Sequence, residues 1–165
     1  FTVNIALVRH GVPVMGVIYA PVLGRLYAAA EGHGAFVAQV DAATLQVGER
    51  KALPLPEAQQ HRPYRVVASR SHRSPETEAF IARVAQQHAR PDVVSAGSSL
   101  KLCLVAEGSA DVYPRLAPTM EWDTAAGHAI ALEAGCTVTR ADDGLPLRYN
   151  KADLLNPFFV VERGC

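Results

Sequence analysis

From Thr2 to Arg9 the apolar residues Val3, Ile5 and Leu7 alternate with Thr2, Asn4 and Ala6, the two-residue period of a strand whose faces meet different surroundings. His10-Gly11-Val12-Pro13 reads as a turn, and residues 14–19 as the strand that pairs back. Residues 26–30 and 34–37 predict a second hairpin around Glu31-Gly32-His33-Gly34. A proline-bearing connector runs from Leu53-Pro54-Leu55-Pro56-Glu57 to Pro63. Beyond Tyr64 the rhythm changes to strands at 65–69, 92–95, 110–113, 137–139 and 158–161, interleaved with helices. The first helix spans 74–88, with Ser74 as cap and Pro75 at its first position. The second, 99–107, is closed by Gly108. The third, 123–133, is closed by Gly135.

This alternation predicts an α/β fold, a mixed sheet layered with helices. At 165 residues the chain is one domain, with a hairpin-rich part over 1–53 and an alternating part over 64–165. Sixteen basic residues balance sixteen acidic ones, so no bulk field attracts nucleic acid and any phosphate recognition is local. No apolar run reaches the length of a transmembrane segment, and the first residues lack the pattern of a signal peptide. Cys103, Cys136 and Cys165 are odd in number and widely spaced; buried free thiols in a reducing compartment suit them better than disulfides or metal ligation.

Three stretches carry candidate chemistry. Glu121-Trp122-Asp123-Thr124-Ala125-Ala126-Gly127-His128-Ala129-Ile130 opens a helix rich in small residues, which suits close packing on a sheet. Asp123 then sits on a rigid element, where it caps the helix or serves a hard divalent cation. Gly97-Ser98-Ser99-Leu100-Lys101 joins a strand to a helix. Gly97 allows a tight turn, Ser99 is a candidate cap, and Lys101 falls in the first turn, where the helix dipole disfavours a cation unless an anion is bound. Ser69-Arg70-Ser71-His72 follows the strand Val66-Val67-Ala68, either as a plain turn or as hydroxyl and imidazole donors at a strand end. His128, inside a packed helix, is expected to hydrogen-bond internally.

Trp122-Asp123-Thr124-Ala125-Ala126-Gly127 resembles the second metal-binding motif of the inositol monophosphatase superfamily. Ser69-Arg70-Ser71-His72, Gly97 to Lys101, Tyr113-Pro114-Arg115 and Pro118-Thr119 are similar to its bacterial 3′(2′),5′-bisphosphate nucleotidase branch. The resemblance implies the C-terminal half of an αβαβα sandwich and a magnesium-dependent, lithium-sensitive phosphatase. Its reaction would remove the 3′-phosphate of 3′-phosphoadenosine 5′-phosphate, within sulfur metabolism. It also implies two or three Mg²⁺ ions, with Asp123 as one ligand, and substrate contacts at Ser69, His72, Gly97, Lys101 and Asp123. The family's Gly-Glu-Glu-like and Asp-Pro-Leu-Asp-Gly-Thr-like stretches do not occur here, so the remaining ligands are expected from an N-terminal domain of the same enzyme. The fragment alone would then be inactive. The implied location is cytoplasmic, including peripheral association with the inner membrane. Inositol or sugar phosphates are the alternative substrates, and a non-catalytic ligand-binding domain is the alternative of another class.

Overall fold

The computed structural model describes residues 1–59, 62–68 and 73–164. An antiparallel meander comes first: β1 (Val3–Arg9), β2 (Val12–Ala20), β3 (Arg25–Ala30), β4 (Ala35–Val40) and β5 (Val47–Ala52) pair in sequence order. The first turn is tighter than the sequence pattern predicts. His10 and Gly11 alone make it, with φ of 53° and 77°, the left-handed pair that matches strand twist in a two-residue hairpin. Pairing resumes at Val12. β5 has no counterpart in the predicted elements: all six of its residues are exposed, so it carries no apolar alternation, and Glu49, Arg50 and Lys51 suit a charged sheet edge that resists further pairing.

The alternating part follows as β6 (Arg65–Val67), α1 (Pro75–Gln87), β7 (Asp92–Val94), α2 (Leu100–Ala106), β8 (Val112–Arg115), α3 (Glu121–Glu133), β9 (Cys136–Arg140) and β10 (Phe159–Arg163). These strands form a second sheet in the order β7-β6-β8-β10-β9. β6 runs parallel to β7 and β8, while β10 is antiparallel to β8 and β9. The α/β layering expected from the sequence is present, as two sheets with helices between them. On one side Cys103, Ala106, Ala126 and Ile130 of α2 and α3 meet Ile18, Tyr27, Ala29 and Val37 of the meander. On the other, Leu102, Val105, Ala125 and Ala131 meet Tyr113, Val138, Phe159 and Val161. α1 covers the far face of the second sheet through Phe80, Ile81 and Val84. Side chains such as Ile18, Ile130 and Phe159 are fully buried, each contributing about 1.5–3 kcal/mol of transfer free energy.

α3 approaches the meander closely because both surfaces are nearly bare. A Cβ on Gly16 would lie 2.2 Å from the carbonyl oxygen of Ala126. The helix is also held at both ends by carboxylates. Glu121 accepts the backbone N–H groups of Asn150 at 2.6 Å and Lys151 at 3.3 Å, together with the Lys151 ammonium. Burial alone would raise the Glu121 carboxyl, but these donors outweigh it and hold it below its ordinary value. Glu133 accepts the N–H of Gly32 at 3.2 Å and of Gly34 at 2.9 Å in the β3–β4 turn.

The opposite face of the meander has no partner among the described residues. Val3, Ile5 and Leu7 are 47%, 58% and 54% exposed, and they pair across β1 and β2 with Tyr19, Val17 and Met15. Asn4, Ala6 and Val8 turn the other way and, with Trp122, Ala125 and Ala126 of α3, line a hollow of about 280 Å³. Cys103 and Cys136 are buried and free, and burial pushes both thiols up, Cys136 to about 11. Cys165 lies outside the described residues. Among those described, no helix is long and apolar enough to cross a membrane.

Candidate active site

α3 begins at Glu121, two residues before the predicted start, which makes Asp123 a first-turn acid instead of the cap itself. Its Oδ2 accepts the Met120 N–H at 3.2 Å. A carboxylate offers about four acceptor positions, so one such bond leaves it able to ligate. Asp123 is exposed on the wall of a cleft of about 130 Å³.

Across that cleft stands the loop into α2. The left-handed residue there is Ser98, at φ 51°, where the sequence points to Gly97. A Cβ on Gly97 would meet nothing within 4 Å among the described residues, so no packing among them demands a glycine at that position. Ser99 is buried but does not cap α2; its hydroxyl is turned toward β1, donating to Asn4 Oδ1 at 2.6 Å. Lys101 lies in the first turn as expected. Its Nζ donates to the Ser98 carbonyl at 3.4 Å and stands 6.0 Å from the Tyr113 ring centre. Burial, and after it the charge of Arg115, lowers its pKa.

Arg115 is the residue for which sequence reasoning leaves no role. It ends β8, its Nη2 donates to the Pro118 carbonyl at 2.7 Å, and its Nε is buried without a hydrogen-bond partner among the described residues. Arg115, Tyr113 and Lys101 line the cleft and also a second hollow of about 270 Å³, which reaches Ala68, Ser74 and Thr77. Two cations thus share an opening at the C-terminal ends of the parallel strands β6 and β8, the side on which open α/β sheets bind ligands. The signal that could have found Arg115 was its place at a strand end within a motif already singled out. Ser69 and His72 lie outside the described residues.

Beneath the cleft, Tyr149 donates to the Thr124 hydroxyl at 3.2 Å, and Thr124 donates to the Glu121 carbonyl. Asn156 Nδ2 donates to the same hydroxyl at 3.0 Å. His128 Nδ1 is 3.0 Å from the Tyr149 oxygen. With the tyrosine proton already given to Thr124, Nδ1 is the donor. His128 is therefore internal, as expected, and burial pushes its pKa down to about 3.

Asp123 is the only acidic residue among those described that lines the cleft, and no three His, Cys, Asp or Glu side chains among them converge to hold a metal. Magnesium requires several oxygens placed together. Asp123 fits as one ligand of such a group and does not make a site by itself.

A fold of two sheets with helices between them, and an Asp in the first turn of α3 facing paired cations, points to one class of protein. The sequence profile of the inositol monophosphatase family matches residues 1–163, and the chain belongs to that family. Over 162 residues it is 47% identical to the 3′(2′),5′-bisphosphate nucleotidase CysQ of Escherichia coli K12, covering 98% of this chain and 59% of the relative. The nucleotidase CysQ of Haemophilus influenzae is 34% identical over 98% of this chain and 56% of its own length. Among solved structures, CysQ from Bacteroides thetaiotaomicron superimposes with a TM-score of 0.90 at 54% identity, over 98% of this chain and 62% of that one. Inositol monophosphatase-II from Staphylococcus aureus superimposes at 0.72 with 20% identity, over 99% and 55%, a likeness of fold. The chain spans about three fifths of the length of the CysQ relatives it matches.

Proposed function

We propose that this chain supplies the phosphate-binding side of a metal-dependent phosphatase that removes the 3′-phosphate from 3′-phosphoadenosine 5′-phosphate. The observation that carries the reading is the cleft in which Asp123 faces Lys101 and Arg115. Cations at that spot are electrostatically costly without an anion: Lys101 is lowered by burial and by Arg115, and the Arg115 Nε has no partner among the described residues. A phosphate reverses both penalties, since charge-assisted bonds to it are the strong ones. The likeness to bisphosphate nucleotidases supports a nucleotide carrying a second phosphate, and the adjoining hollow gives it room.

In this reading Lys101 and Arg115 hold phosphate, and Ser69, His72 and Gly97 complete the nucleotide contacts by resemblance. Asp123 would hold one magnesium ion, on the cleft wall opposite Lys101 and Arg115. Bound magnesium would supply the positive charge for the phosphoryl oxygens and lower the pKa of a coordinated water. The other ligands come from a part of the enzyme outside this chain, which we place on the exposed face of Val3, Ile5 and Leu7. The setting we carry over from the resemblance is cytoplasmic.

The test is turnover by the full-length enzyme and its Asp123→Asn variant at limiting magnesium. Loss of a ligand charge should lower kcat/KM at least about a hundredfold with the fold intact by circular dichroism. Near-parent activity would reduce Asp123 to a helix-end residue. Comparing 3′-phosphoadenosine 5′-phosphate with inositol 1-phosphate decides the substrate class. Chelator-sensitive turnover by residues 1–165 alone would refute the placement of the missing ligands.

A further inference from the structure

The front of β1 is tied to the Gly97–Ser99 loop by a closed ring of hydrogen bonds. Ser99 Oγ is 2.6 Å from Asn4 Oδ1, Thr2 Oγ1 is 2.8 Å from Ser99 Oγ, and Asn4 Nδ2 is 3.3 Å from Thr2 Oγ1. Ser98 Oγ stands 2.7 Å from the same Thr2 oxygen. Proton counting fixes every direction. An amide oxygen only accepts, so Ser99 spends its one proton on Asn4. Thr2 must then donate to Ser99, which leaves Ser98 and Asn4 Nδ2 as donors to Thr2. The ring runs Thr2 to Ser99 to Asn4 and back to Thr2, and Ser98 joins it from outside.

This closure bears on the cleft. Asn4, Ser98, Ser99 and Lys101 all line it. Ser98 has a left-handed backbone that a non-glycine residue adopts only when its surroundings impose it, and its carbonyl accepts from Lys101 Nζ at 3.4 Å. Asn4 is also a polar residue on the face of β1 otherwise made of Ala6 and Val8, with Ala125 and Ala126 of α3 opposite. Nothing in that packing needs an amide; the loop does.

We infer that Asn4 is a positioning residue for substrate binding: through Ser99 and Ser98 it sets where Lys101 stands in the cleft. This rests on the reading of the cleft as a phosphate site. The ring ties together residues more than ninety positions apart in sequence, so the register of β1 and the phosphate loop are one unit. Removing any member leaves the loop free to relax out of the left-handed turn, and Lys101 moves with it.

The experiment uses the full-length enzyme. Asn4→Ala and Ser99→Ala each remove the same bond, and each should raise KM for 3′-phosphoadenosine 5′-phosphate about fivefold, the equivalent of one neutral hydrogen bond, with kcat within about twofold. The double variant should be no worse than the worse single one. Thr2→Val should behave like them, and Thr2→Ser, which keeps the hydroxyl, should recover most of the loss. A merely structural ring would lower the melting temperature and leave KM in place. KM within twofold of the parent in both single variants, or a double variant equal to the product of the singles, overturns the inference. If either of those variants fails to fold, the Thr2→Val and Thr2→Ser pair decides. If the parent enzyme does not hydrolyse the nucleotide, the functional reading falls separately. Titration of inorganic phosphate against the same variants then decides on Asn4, with about fivefold weaker binding supporting the role and an unchanged Kd overturning it.

Discussion

Gly16→Ala adds one methyl group where the molecule has no room. Its carbon would sit 2.2 Å from the Ala126 carbonyl oxygen, 2.9 Å from the carbonyl carbon and 3.0 Å from Cα. All three obstacles are backbone, so no rotamer relieves the clash; non-bonded atoms settle at about 3.5 Å, and α3 must retreat from β2 by roughly 1 Å. Overpacking costs about 1–3 kcal/mol, and the rigid partners place this substitution near 3. For a protein of this size that lowers the melting temperature by about 6–12 °C. The retreating helix carries Asp123 one turn before Ala126. A misplacement of about 1 Å can cost on the order of a hundredfold in rate, so kcat/KM should fall well beyond what residual unfolding explains. Thermal denaturation and steady-state kinetics on full-length Gly16→Ala, assayed well below its melting point, measure both quantities. A melting temperature within about 2 °C of the parent, with activity within twofold, would refute the described contact of α3 with β2.

Gly97→Ala should leave stability within about 0.5 kcal/mol, because its Cβ meets no atom of the described residues within 4 Å. A rise in KM without a fall in melting temperature would mark it as a surface reserved for substrate. Lys101→Ala should raise KM about tenfold with little change in kcat, the size of one charge-assisted bond; an unmoved KM with lowered stability would make Lys101 structural. His128 binds its proton less readily in the fold, at about 3 against 6.5, so stability is complete above pH 6.5 and declines as pH falls from there toward 3. Between pH 7.5 and pH 5 the loss is about 2 kcal/mol. His128→Asn should flatten that part of the urea-denaturation profile, and an unchanged slope would refute the assignment.

The helices were legible because their signals are local. Ser74 accepts the Thr77 N–H and Pro75 opens α1, while the Ala-rich run of α3 announces close packing by its composition alone. β5 was not legible, since a charged edge strand has neither burial nor alternation to show. At the cleft, the first-turn positions of Asp123 and Lys101 could be read from motif and helix position, and both line it. Arg115 could be placed but not assigned, because the burial of its Nε is created only by tertiary packing. Asn4 was beyond reach altogether. In sequence it is one polar step in an alternating strand; its partner Ser99 looks like a helix cap, and the bond between them is decided by where β1 lies against α2.

The two carboxylate anchors of α3 have a further consequence. Glu121 grips Asn150 and Lys151 at one end, and Glu133 grips the Gly32–Gly34 turn at the other. A helix free at its ends can slide along its neighbour to suit whatever binds; this one is clamped lengthwise and pressed flat against Gly16. The span from Asp123 to the Lys101–Arg115 pair is therefore a gauge cut by the fold, and a ligand that bridges the two must match its length. Choosiness toward anions of different reach then comes from what α3 cannot do, with no added contact required.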